Sequence, residues 1–153
     1  MWWIVVHTVT RSLILPYEAA DMYSLVDQID QYREFLPWCK DSVVLERTDR
    51  EVIARIEVSF KGLQTAFTTR NCLFSEREIK IELVDGPFDH LTGRWEFSAL
   101  DKRASRVTLQ VNFSLASRLA NQTITPVFKR ICETLVESFA ERAKHIYGEQ
   151  QFG

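Results

Sequence analysis

The 153-residue chain is poor in the residues that most often do chemistry: it has three cysteines and three histidines, and neither set is spaced as a site. Cys39, Cys72 and Cys132 are odd in number and include no CxxC pair. That excludes a closed disulfide framework and gives no four-cysteine zinc site, so reduced thiols in a cytoplasmic protein are expected. His90 has no second ligand at metal spacing, and His7 and His145 lie far from it in sequence. There is no Gly-rich phosphate loop, no GxSxG elbow and no HExxH helix. An excess of positive charge is missing as well: 19 Lys and Arg face 21 Asp and Glu, for a formal charge of −2. A general nucleic-acid binder is disfavoured and no DNA partner is expected, although residues 61–153 hold 13 basic against 11 acidic side chains. Long apolar runs are absent too. The opening MWWIVVH has no basic flank and is interrupted by His7 and Arg11, so neither a signal peptide nor a membrane span is expected. Without repeats or linker-like tracts, one domain is expected.

What is present is alternation of period two. Val52, Ala54, Ile56, Val58 and Phe60 alternate with Arg55, Glu57, Ser59 and Lys61, which places one apolar and one wet face on a strand. The same rule holds at 79–83, at 91–99 and at 107–115, and runs at 42–47, at 64–74 and near 4–14 bring the set to about seven strands. Short polar connections such as Thr48-Asp49-Arg50, Lys61-Gly62 and Asp101-Lys102-Arg103 are of hairpin size, so neighbouring strands are expected to run antiparallel.

A sheet with one apolar face needs a cover, and the C-terminal segment supplies one. Ile131, Cys132, Leu135, Phe139, Ala143 and Ile146 recur at three- and four-residue steps, predicting an amphipathic helix ended by Gly148. Pro126 either opens this helix or kinks a longer one starting near Arg118, and the kink is the expectation taken here. Between the first two strands, Met22, Leu25, Val26 and Ile29 predict one short helix; Tyr32, Phe35 and Leu36 predict a second, with Asp30 as its cap and Pro37 as its stop. The layout is α+β: two short helices after the first strand, then a curved antiparallel sheet wrapped around one long helix.

The stretch LVDGPFDHLTGRWEF (83–97) gathers acids, His90 and Arg94 within a few residues. Parity puts Arg94 and Glu96 on the wet face opposite Trp95 and Phe97, and Asp85-Gly86-Pro87 is turn chemistry, so no acid–base site is expected there. No inward-facing pair of carboxylates appears elsewhere. The many inward aromatics allow either a solidly filled core or an apolar pocket under the helix.

Four ordered blocks, FLPWCKDSVVLE (35–46), VSFKGLQTAFTTRN (58–71), LVDGPFDHLTGRWEF (83–97) and FAERAKHIYG (139–148), resemble the coenzyme Q-binding, polyketide-cyclase-like branch of the START superfamily, which includes RatA-type ribosome association toxins. Glu18 stands where many members carry Ser, and Arg33 where many carry Pro. The resemblance implies a helix-grip fold over residues 6–148, preceded by an extension at 1–5 and followed by a tail at 149–153. It also implies two functions. The first is non-enzymatic binding of a prenylated lipid such as ubiquinone in support of respiration, with no cofactor required and with transient membrane contact. Phe67, Trp95, Phe97, Val111, Phe128, Ile131, Leu135 and Phe139 would line the isoprenoid chain, and Thr69 or Asn71 would meet the head. The second is binding to the 50S ribosomal subunit with block of 70S association, for which Arg94, Lys102, Arg103, Arg106 and Arg118 are the candidates. A cyclase-type enzyme ranks last, for want of an inward acid–base pair.

Overall fold

A computed structural model describes residues 5–119 and 123–152. Seven strands, β1 (His7–Leu15), β2 (Cys39–Arg47), β3 (Glu51–Phe60), β4 (Leu63–Phe74), β5 (Glu78–Asp85), β6 (Phe88–Asp101) and β7 (Ala104–Leu115), form one antiparallel sheet in the order β1-β7-β6-β5-β4-β3-β2. Consecutive strands from β2 to β7 are hairpin neighbours. The chain passes between the two edge strands through α1 (Ala19–Asp27), a 3-10 turn (Ile29–Gln31) and α2 (Tyr32–Phe35). The fold is therefore α+β and of helix-grip type, closed by α3 (Ile124–Tyr147).

Alternation fixes which face is inside. Val52, Ala54, Ile56 and Val58 of β3 and Val107, Leu109, Val111 and Phe113 of β7 are all buried, while the residues between them are exposed or half-buried. Register shifts at Val44/Glu46, Thr68/Thr69 and Ala99/Asp101 bend the strands so that the sheet curls around α3. Antiparallel order sorts the connections into two ends. The β2–β3, β4–β5 and β6–β7 turns lie at one end; the β3–β4 and β5–β6 turns lie at the other, where the chain also enters α3. At this second end Gly86 takes φ +148°, and a side chain there would begin 2.5 Å from Phe67 Cβ, so the turn requires glycine.

α3 lies along the concave face. Phe128 meets Phe113, Phe88 and Phe67 with ring centroids 4.7, 5.2 and 6.3 Å away, and Phe139 meets Tyr32, Phe35 and Trp95 at 5.3, 5.3 and 5.4 Å. The far end is pinned by Tyr17, whose hydroxyl donates to the Gly148 carbonyl at 2.9 Å.

Two local expectations are corrected. No kinked helix starts near Arg118: residues 117–119 form a turn, with Leu119 N–H donating to Ala116 O at 2.8 Å, and α3 begins at Ile124. Pro126 falls in its first turn, where a missing N–H leaves no bond unmade. Asp30 does not cap α2 but sits inside the 3-10 turn, and α2 starts at Tyr32 without a side-chain cap. Of the expected 1–5 extension, residues 1–4 lie outside the described residues and Val5 is exposed.

Candidate functional site

Between α3 and the concave face is an apolar cavity of about 90 Å³. Each wall follows from the periodicity that built its element. β4 contributes Phe67, Thr69 and Asn71 at two-residue spacing, β6 contributes Leu91, Gly93 and Trp95, and β7 contributes Val111. α3 contributes Phe128, Ile131, Cys132, Leu135 and Phe139 along one stripe. The remaining wall comes from Ile29, Tyr32, Trp38, Ile56, Ile81 and Thr92.

Nine of the ten candidate lining residues read from the sequence and the resemblance meet here. Phe97 does not. It points inward as parity requires, but it lies behind Trp95, stacked on that ring at 6.1 Å with planes 13° apart, and against Tyr23 at 5.4 Å. It is 3% exposed and belongs to the packing beneath α1 rather than to the cavity. Ile29, Tyr32, Trp38, Cys132 and Gly93 line the cavity without having been singled out for it. Cys132 and Gly93 were available from the same stripe and parity that marked Ile131 and Trp95.

Few polar groups reach this space. Thr69 Oγ1 donates to Asn71 Oδ1 at 3.1 Å, and both residues are buried. The Tyr32 hydroxyl donates to the Val26 carbonyl, and burial raises its pKa. Trp38 is 6% exposed and its Nε1–H has no acceptor among the described residues. Burial pushes the Cys132 thiol up to about 12 and the Cys39 thiol up to about 11, which keeps both protonated and inert near neutrality. None of the lining residues is an acid, a histidine, a lysine or an arginine. Among the described residues, no three His, Cys, Asp or Glu side chains come together as a metal site. The arrangement can hold an apolar body, and it offers no proton-transfer pair.

The five basic candidates do not converge. Arg94 is neutralised on the outer face, with Nη2 2.7 Å from Glu78 Oε2 and Nε 3.6 Å from Glu96 Oε1. Lys102, Arg103 and Arg106 are exposed at the β6–β7 hairpin. Arg118 follows the other end of β7, separated from Arg106 by about 30 Å of strand.

The profile of the family described as polyketide cyclase / dehydrase and lipid transport matches residues 15–140. The chain belongs to this family. Its relatives include the ribosome association toxin RatA of Pseudomonas aeruginosa, 40% identical over 92% of this chain and 97% of that protein. RatA of Escherichia coli K12 is 38% identical, covering 94% and 91% of the two chains. A mitochondrial coenzyme Q-binding protein COQ10 homolog B from Xenopus laevis is 28% identical over 93% of this chain and 60% of that one. Among solved structures, the Zhui aromatase/cyclase from Streptomyces sp. R1128 superposes with a TM-score of 0.79 at 18% identity, covering 94% and 99% of the chains, which places the family member in the helix-grip fold. The 18 kDa protein CC1736 of Caulobacter crescentus superposes at 0.74 with 28% identity, covering 94% and 99%. Among the described residues of this family member, no helix is long and apolar enough to cross a membrane.

Proposed function

We propose that the chain is a ribosome-associating protein of the RatA type, acting in the cytoplasm by engaging the 50S subunit and blocking 70S association, without catalysis of its own. The observation that carries this reading is likeness over nearly the whole of both chains to proteins named ribosome association toxins, at 40% and 38% identity. The cavity points the same way. In this conformation its 90 Å³ is less than the roughly 150 Å³ that houses a benzene, so a prenylated quinone needs α3 to move outward before it enters. A lining free of acids and bases supports a binding role over a cyclase role.

Lipid binding is the second reading, favoured by the largely apolar wall with its buried Thr69–Asn71 pair and by the likeness to a coenzyme Q-binding protein. The two roles are compatible, because they use the inside and the outside of one molecule.

Purified chain sedimented with separated 50S and 30S subunits in low salt tests the first reading. It is expected with 50S, and it lowers the yield of 70S particles on remixing. Absence from the 50S fraction at the lowest salt overturns it. Organic extraction and mass spectrometry test the second. Stoichiometric prenylquinone is expected in wild type and its loss in a folded Leu135→Glu variant, while extracts without quinone overturn it.

A further inference from the structure

Cations on the sheet faces are already neutralised. Arg55 meets Glu57 at 2.9 Å, Arg70 meets Glu82 at 3.3 Å, and Lys80 and Arg94 meet Glu78 at 3.7 and 2.7 Å. Arg47 at the end of β2 meets Asp27 at 3.0 Å, but the other cations at the turns of the two ends have no ion pair among the described residues, and the ends differ. At the end bearing the β6–β7 hairpin, Arg50, Arg77, Lys102 and Arg103 are interleaved along the turns with Asp49, Glu76 and Asp101. At the opposite end, Lys40 is the second residue of β2, Lys61 tips the β3–β4 hairpin, Arg118 follows β7, and Lys129 and Arg130 lie in the first two turns of α3. All five are exposed or half-buried, and the strand turns there carry two acids, Asp85 and Asp89.

Ion pairs among the described residues do not account for the placing of these cations. Residues 124–130 contain no acid, although the positive end of a helix dipole favours acids in the first turn, so Lys129 and Arg130 in the second turn have no acid before them on the helix. Lys61 holds φ +47°, a left-handed conformation that glycine or asparagine adopts more easily at a hairpin tip, and its ammonium lies 5.3 Å from the Phe60 ring rather than beside an anion. The same hairpin touches α3: Ile124 Cδ1 lies 3.9 Å from where a Gly62 side chain would begin, so Lys61 and the start of α3 share one surface. A protein of net charge −2 has no overall excess of positive charge to draw a polyanion, so attraction depends on a local cluster of cations. An unpaired basic end on such a molecule both attracts a polyanion and fixes its orientation.

We propose that this end, with Lys61, Arg118, Lys129 and Arg130 at its centre, is the surface by which the chain contacts the phosphate backbone of ribosomal RNA; the inference rests on the ribosome-association reading above. Point cations contributed by separate elements suit a spaced row of phosphates better than a single carboxylate. The β6–β7 hairpin, with its interleaved acids, then faces away from the RNA.

The test compares two charge-reversed full-length variants, Lys61→Glu/Lys129→Glu/Arg130→Glu and Lys102→Glu/Arg103→Glu/Arg106→Glu, by co-sedimentation with purified 50S subunits across a KCl series. The first is expected to lose about tenfold or more in association at low salt, and its log–log salt slope falls by about two to three, one lost phosphate contact for each charge. The second keeps the wild-type slope, and free 23S rRNA competes with 50S for the wild type. Thermal unfolding of both variants checks that they fold. If the second variant alone weakens, or if 23S rRNA fails to compete, the surface is wrong while ribosome association stands. If wild type never sediments with 50S, the functional reading falls and this inference falls with it.

Discussion

The ring of Phe128 on α3 meets the ring of Phe113 on β7 with centroids 4.7 Å apart and planes at 69°. Both side chains are buried, at 4% and 0% exposure, and Phe128 also touches Phe67 and Phe88, so one ring ties the helix to three strands. Phe128→Ala is expected to lower stability by about 3–5 kcal/mol, the range for a buried phenylalanine that leaves a cavity behind. Urea denaturation measures it. A loss below about 1 kcal/mol shows that α3 is not held at this point.

Arg94 illustrates the opposite case. Its ion pair with Glu78 is short, but the arginine side chain is 48% exposed and Lys80 also lies near the same carboxylate. Arg94→Ala is expected to change stability by less than about 1 kcal/mol and to leave 50S association at the wild-type level. Denaturation and co-sedimentation of the one variant check both statements.

The thiols give a pH prediction. Cys39 and Cys132 rise from an ordinary 9.0 to about 11 and about 12 because burial penalises the thiolate. The raised folded-state values mean that the unfolded chain ionises first. Their contribution is therefore complete below pH 9 and is lost progressively as pH climbs through 11 and 12. Native alkylation at pH 8 is expected to modify half-buried Cys72 first and to reach Cys39 and Cys132 only after unfolding, as peptide mapping would show.

Trp38 carries an indole N–H with no acceptor among the described residues while its ring lines the cavity. Trp38→Phe removes the orphan donor and some volume together, two effects of opposite sign, and is expected to stay within about 1 kcal/mol of wild type. Trp38→Ala removes the whole ring and is expected to lose about 3–5 kcal/mol. Equal losses in the two variants, read from denaturant midpoints, show that the N–H does have a partner in solution.

Much of the site was legible in advance because its walls are periodic. Alternation marks Phe67 and Val111, the α3 stripe marks Phe128, Ile131, Leu135 and Phe139, and the family resemblance added Thr69 and Asn71. Phe97 obeys the same parity as Trp95, yet parity states only which face a side chain is on. Whether it meets open space or the Tyr23 ring depends on where α1 crosses the sheet. Ile29, Tyr32 and Trp38 were illegible as cavity residues for the same reason, since they come from the irregular crossing between the edge strands. The start of α3 was misread because Pro126 suits a first turn and a kink equally well.

By itself the sequence determined seven alternating strands, an amphipathic C-terminal helix and an interior without acids or bases, because those properties repeat every two or 3.6 residues and need no distant partner. The tertiary structure alone decided how much room the helix leaves beneath it. It also decided which cations meet a carboxylate across a strand pair and which stand unpaired at an end of the sheet. Those outcomes depend on register and on the sum of many packed volumes, and residues far apart in the chain, such as Arg11 and Glu133 or Phe67 and Phe128, settle them only once they are brought together.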